Sequence, residues 1–131
     1  MNALVKQIGY FVAVGGAAAA THWVVAVASV EWLRVPPLAA NALGWAVAFV
    51  VSFSGHYRLT FRHLASRWTV AARRFFFVSA CGFLLNEAVY AWLLHSTALS
   101  YELALALVLA GLAVATFLAS RFWAFRRKIG A

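Results

Sequence analysis

The feature that most restricts this chain is a set of four long apolar runs, approximately Ile8–Val30, Leu38–Tyr57, Phe75–Leu94 and Glu102–Trp123. Each is close to the roughly 20 residues that cross a hydrocarbon layer of about 30 Å as a helix. In hydrocarbon every backbone amide needs a partner within the protein, so runs of this length read as helices. Composition agrees. Of the 131 residues, 66% are apolar and only 11% charged, against roughly half and a quarter in soluble domains. A small soluble fold could not hide that much apolar surface. The expected fold class is all-α membrane, with four transmembrane helices in a single domain, residues 1–131.

The breaks between the runs are unequal. Glu31–Pro37 holds two prolines, which stop one helix and can start the next. His95–Tyr101 reads as a short turn, and Arg58–Arg74 as the one real loop. An apolar stretch after Lys6 resembles a signal peptide, but it runs on to Ser29, longer than the usual 7–15-residue apolar core. The mature protein is expected to keep it.

Ten of the eleven Lys/Arg fall on one side of this layout: Lys6; Arg58, Arg62, Arg67, Arg73 and Arg74; Arg121, Arg126, Arg127 and Lys128. Only Arg34 falls on the other. By the excess of bases on cytoplasmic loops, both termini and the central loop are expected inside. The net charge of +8 therefore reads as orientation signals and anionic-lipid contacts, and nucleic acid is not an expected partner. Within the loop, Phe61, Leu64, Trp68 and Val70 alternate with bases, as in a segment lying at the headgroups. Trp32, Trp68 and Trp123 read as interfacial belt residues.

Each run carries small residues at helical spacing: Gly15, Ala19, His22, Ala26; Asn41, Gly44, Ala48, Ser52, Gly55; Ser79, Gly82, Asn86; Gly111, Ala115, Ala119. Small residues let helices approach closely in lipid, so a packed bundle is expected. The lone Cys81 reads as a small core residue.

The chain also repeats itself, with halves of about 1–65 and 66–131. Phe53-Ser54-Gly55-His56-Tyr57-Arg58-Leu59-Thr60-Phe61 closes the second run. Phe117-Leu118-Ala119-Ser120-Arg121-Phe122-Trp123-Ala124-Phe125 closes the fourth. Tyr10-Phe11-Val12-Ala13-Val14-Gly15-Gly16 is similar to Phe76-Phe77-Val78-Ser79-Ala80-Cys81-Gly82. Two crossings per half make the repeats parallel. These segments resemble the GtrA-like family, four-helix membrane proteins also found fused to dolichol-phosphate-mannose synthases. Its halves open with an aromatic-Val-Gly run and close with a pattern like Asn-Arg-x-Trp-x-Phe. Ser120–Phe125 matches except for Ser in place of Asn. His56–Phe61 keeps Thr-Phe but has Leu for Trp and a shifted Arg, and Arg74-Phe75 with Phe77-Val78 and Gly82 matches the second opening.

The resemblance implies a bacterial-type inner membrane location and movement of an isoprenoid-phosphate-linked sugar across that membrane for cell-surface polysaccharide glycosylation. The alternative it allows is a non-transporting accessory or anchor for a membrane glycosyltransferase. A third class, a small proton-coupled exporter, shares four helices and a membrane glutamate. Such exporters look weakly biased in loop charge and resemble a first-helix Glu, whereas here Glu87 is in the third helix and the bias is ten to one.

Glu87 is the costliest residue: about 20 Å along a helix from Arg74, it must be paired, protonated or facing a cavity. His22 occupies a similar depth in the other half. If the first and third helices adjoin, His22 and Glu87 could pair beside Asn86, forming an intramembrane polar site or a plain interhelical bond. The family often has an acidic residue near the position of His22, so the family role does not carry over there. Arg58, Arg74 and Arg121 lie where helices meet the basic side. Their guanidinium forks suit a lipid phosphate, although snorkelling alone would place them there too. The sequence has no Asp, no paired catalytic carboxylates, no Gly-rich phosphate loop and no metal-ligand spacing, so neither an enzyme nor a metal or cofactor is expected. Expected partners are the sugar lipid, membrane lipids, a glycosyltransferase and a second copy, since a dimer makes a lipid-sized groove easier to build.

Overall fold

The computed structural model describes residues 2–60 and 67–119, with side chains as far as residue 115 in the last helix. There are four helices: α1 (Ala3–Leu33), α2 (Pro37–Gly55), α3 (Trp68–Ser96) and α4 (Tyr101–Ala119). A single π-helical turn, His56–Thr60, prolongs α2. No strand occurs among the described residues, so the all-α membrane fold is correct. Three helices, α1, α2 with its π-turn, and α3, are long and apolar enough to cross a membrane. The 19 residues of α4 rise about 28 Å, close to one hydrocarbon thickness.

The chain ends its helices with local devices. The Asn2 side chain accepts from the Leu4 amide at the start of α1. At its other end Arg34 adopts a left-handed φ of 58°, the only non-glycine residue described with positive φ. The Arg34 and Val35 amides both turn back to the Ser29 carbonyl. Pro36 and Pro37 follow, with Pro37 at the first position of α2, where the missing N–H costs nothing. Ser100 caps α4: its hydroxyl accepts from the Leu103 amide at 3.3 Å.

Two of the expected boundaries are too narrow. Helix α3 begins at Trp68, seven residues before Phe75, and carries Arg73 and Arg74 on its first turns. Long basic side chains reach water from within a helix, so charge does not end one. The loop therefore shrinks at both ends. Trp68 and Val70 belong to α3 rather than to a surface segment, while Phe61 and Leu64 lie outside the described residues.

The helices form a ring in which α1 meets α2, α2 meets α3, α3 meets α4 and α4 returns to α1. The α1–α2 contact is much the most extensive. The adjacency of α1 and α3 that a direct His22–Glu87 pair would need is not among these contacts. A three-residue link, Arg34–Pro36, forces α1 and α2 side by side, and small residues let them close in. A β-carbon on Gly44 would fall 2.5 Å from the His22 carbonyl oxygen, and one on Gly55 would fall 2.7 Å from a Val14 methyl. The second half is looser. A β-carbon on Gly82 or Gly111 would meet nothing within 4 Å, and the same is true of Gly15. Cys81 is exposed on α3 and is not a core residue. In lipid the outward face is as apolar as the core, so an apolar run does not say which side of it faces in.

Candidate functional site

Apolar burial is concentrated toward the end opposite the bases, in Ala26, Ala40, Tyr90, Ala104, Leu105 and Val108. Beside it lie buried polar side chains from three helices: His22 of α1, Asn41 of α2 and Asn86 of α3. Asn41 is the hub. Its amide nitrogen donates to Asn86 Oδ1 at 2.7 Å, and its oxygen faces His22 Nε2 at 2.6 Å. Because Asn41 Oδ1 can only accept, the imidazole Nε2 carries the proton and donates. Donors therefore point one way, from His22 through Asn41 to Asn86.

Glu87 follows Asn86 on α3. Its carboxylate neighbours the Asn41 side chain, and its Oε1 is shut off from solvent without any hydrogen-bond partner. A buried polar atom left unpaired typically costs about 1–3 kcal/mol, more when charged. Asn41 thus links His22 to Asn86 and neighbours Glu87, whereas the sequence offered a direct His22–Glu87 pair only on the condition that α1 and α3 adjoin. Asn41 was legible only as one more member of a small-residue stripe. Its amide inside an apolar helix was the signal to follow.

Depth along the helices differs among the members of the cluster. Asn41 lies four residues into α2, about 6 Å from its start. Glu87 precedes the end of α3 by nine residues, or about 14 Å. The cluster thus sits between the middle of α1 and α3 and the non-basic end, with Asn41 alone close to a helix terminus. Above it three contacts tie α4 into the ring. Trp23 Nε1 donates to the Glu102 carbonyl at 3.1 Å, Tyr90 Oη to the Tyr101 carbonyl at 3.4 Å, and Tyr101 Oη to the Glu31 carboxylate.

Between the cluster and the basic end runs an aromatic seam along α2 and α3. Trp45 stacks on Phe83 with centroids 5.0 Å apart and donates to Ser79 Oγ at 2.9 Å. Phe49 meets Phe76 edge-on at 5.5 Å, and Phe53 meets Phe75 at 6.0 Å. At the basic end His56 is buried, stacked on Phe11 at 5.1 Å and edge-on to Phe75 at 5.9 Å, with Nδ1 3.0 Å from Thr60 Oγ1. Sequence reasoning did not single out His56. Its partners come from α1 and α3, so no local motif announces it.

That packing also positions two of the proposed phosphate ligands. Arg58 is two residues beyond His56, and Arg74 immediately precedes Phe75. Both guanidinium-bearing residues are exposed at the same end of the bundle. Arg121 lies outside the described residues, as does Trp123. Trp32 and Trp68 project outward, 82% and 62% exposed, and Trp92 does the same at 63%. Among the described residues no three His, Cys, Asp or Glu side chains gather as a metal site would require.

Comparison with known proteins adds a family. The profile of the GtrA/DPMS transmembrane domain matches residues 10–125, which span both hairpins. No curated protein and no solved structure matches the chain.

Proposed function

We propose, for a chain that belongs to the GtrA/DPMS transmembrane-domain family, translocation of an isoprenoid-phosphate-linked sugar across a bacterial-type inner membrane, with both termini in the cytoplasm. The observation that supports this reading most is the division of polar groups between the two ends. Arg58 and Arg74 are exposed at one end, a buried cluster on three helices lies toward the other, and an aromatic seam joins them. Guanidinium forks at the cytoplasmic leaflet would take the lipid phosphate, with Arg121 in the equivalent place of the second half. The flat rings of Trp45, Phe49, Phe53, Phe75 and Phe76 offer a surface for the isoprenoid chain. His22, Asn41, Asn86 and Glu87 offer hydroxyl partners for the sugar once the helices part. No bond is made or broken in this reading, so the chain acts as a carrier and not as an enzyme.

Purified protein in vesicles carrying an isoprenoid-phosphate sugar in one leaflet provides the test. The parent should expose the lipid in the opposite leaflet faster than empty vesicles do. Arg58→Lys and Arg74→Lys keep charge and orientation but lose the bidentate fork, so each should lower the rate about tenfold at unchanged insertion. Parent-like rates in both would leave these residues as orientation anchors only.

A second reading, an accessory subunit that holds a glycosyltransferase, is favoured by the open faces at Gly82 and Gly111. It expects no translocation by the isolated chain and recovery of transferase activity when the chain is co-inserted.

A further inference from the structure

We infer that the amino-terminal arm of α1 clamps the basic end of α2, and that Gln7 is a positioning residue for Arg58, acting through the Thr60 carbonyl. Its bearing on phosphate rests on the reading of Arg58 in the preceding subsection; the clamp itself does not.

Exposure along the arm singles out three side chains. Of residues 2–14, only Gln7, Phe11 and Val14 are withdrawn from the surface. Spaced by four and by three, they share one face of the helix. Each meets a different residue of the facing segment, in antiparallel order. Gln7 Nε2 donates to the Thr60 carbonyl at 3.3 Å, and Phe11 stacks on His56 at 5.1 Å. The Val14 methyls close over Gly55, where a β-carbon would fall 2.7 Å from one of them. Gln7 is the polar member of this face. A glutamine near a membrane surface can turn to headgroups and water, whereas this one is turned onto the protein.

The segment it holds is a π-helical turn, His56–Thr60. Such turns, closed by i→i+5 bonds, are rare, occur mostly as single insertions in α-helices and are frequent at functional sites. Its two ends are buried, with His56 Nδ1 3.0 Å from Thr60 Oγ1, while Arg58 and Leu59 between them are exposed. The Arg58 backbone is therefore held two residues before and two residues after, in both places against α1. Snorkelling asks for less, since a base that only reaches water works from a loose stem. A guanidinium that must present two N–H groups to one phosphate gains from a stem fixed beforehand, because less freedom is lost on binding. On its other side His56 meets the Phe75 ring edge-on at 5.9 Å, next to Arg74 in the chain, so the second arginine is referred to the same fixed point.

The test uses the full chain in detergent. Gln7→Met keeps the length of the side chain and removes the donor. Thr60→Val removes the hydroxyl at nearly unchanged shape, and Thr60→Ser keeps it. The NMR order parameter of the Arg58 amide is read first. It should fall in Gln7→Met and Thr60→Val from about 0.85, usual for rigid backbone, toward about 0.6, and stay at the parent value in Thr60→Ser. Binding is read next with farnesyl monophosphate, and with farnesol as the probe that lacks the phosphate. Arg58→Lys should weaken the monophosphate about tenfold, as for one charged hydrogen bond lost. Gln7→Met should weaken it about threefold, the worth of an average interhelical hydrogen bond in membranes. Farnesol should bind both variants as it binds the parent. In the Arg58→Lys background Gln7→Met should have no further effect, because it acts through the fork already removed. A merely structural loss would instead weaken both probes and add to Arg58→Lys. An unchanged Arg58 order parameter in Gln7→Met overturns the clamp. Parent-like monophosphate binding in Gln7→Met, or additive effects, overturns the positioning role and keeps the phosphate site. Parent-like binding in Arg58→Lys rejects the phosphate site, and the positioning role of Gln7 with it.

Discussion

The two hairpins of this chain repeat one another in sequence and differ in how they pack. In the first, α1 and α2 approach so closely that Gly44 and Gly55 have no room for a methyl group. In the second, a β-carbon on Gly82 or Gly111 would meet nothing within 4 Å, as is also true of Gly15 and Gly16 of α1. The first hairpin also supplies two of the three helices of the polar cluster, while the third member comes from α3. A duplicated sequence has thus yielded one closely packed hairpin and one whose two stripe glycines are open within the chain. In lipid, where apolar surface alone does not draw helices together, the difference must come from close backbone approach and polar contacts. The close backbone approach belongs to the first half, while most of the polar contacts cross between the halves.

The sharpest way to break this comparison is at Gly44. A Gly44→Val side chain would begin 2.5 Å from the His22 backbone oxygen, which cannot swing aside. The loss should be about 3 kcal/mol, the upper range for overpacking, read as a shift in a reversible unfolding titration in mixed detergent. A parent-like curve would show that α1 and α2 are not in this contact.

Asn41→Leu comes next. It fills the site but removes both hydrogen bonds, leaving buried His22 and Asn86 without their shared partner. Interhelical bonds in membranes average about 0.6 and reach about 1.7 kcal/mol, so the two together should cost about 2 kcal/mol. A neutral result would mean that the cluster adds nothing to folding, and that its burial is tolerated for some other reason.

Gly55→Ala should cost less, about 1 kcal/mol, because the obstructing atoms are side-chain methyl groups of Val14 and not backbone. A companion change, Val14→Ala, should recover most of it. Failure of that pair to compensate would remove Val14 from the contact.

What the sequence could reveal follows the same division. Helix number and order were legible because length and apolarity are local properties. The polar side chains of the cluster stood out because each is expensive in hydrocarbon, and His22, Asn86 and Glu87 could be singled out individually. Their arrangement was not legible. It depends on the short Arg34–Pro36 link and on Gly44, which bring Asn41 rather than α3 against His22. Nor was the face of α3 legible: Cys81 and Gly82 sit in an apolar run whose two sides have the same composition whether they meet lipid or protein. His56 escaped for a related reason, since Phe11 and Phe75 reach it from helices distant in sequence.

The smallest expected effect tests the open half directly. Gly82 and Gly111 lie in the interiors of α3 and α4, where an added β-carbon meets no atom within 4 Å. Replacing glycine by alanine inside a helix gains up to about 1 kcal/mol by limiting the unfolded backbone and protecting the peptide groups. For an isolated chain in detergent, Gly82→Ala and Gly111→Ala should therefore be neutral or stabilising by up to about that amount, opposite in sign to Gly55→Ala. A bilayer adds a second question, because there the proposed homodimer would bring another copy onto the same small-residue faces. The exposed Cys81 beside Gly82 supplies the readout: thiol cross-linking should trap the parent as a pair, and Gly82→Leu should reduce the trapped fraction several-fold. Destabilisation by alanine in monomeric detergent solution would mean that α3 and α4 pack within the chain as tightly as α1 and α2 do, and the contrast between the hairpins would be gone. Equal cross-linking of parent and Gly82→Leu would leave the contrast standing and assign the open face to lipid.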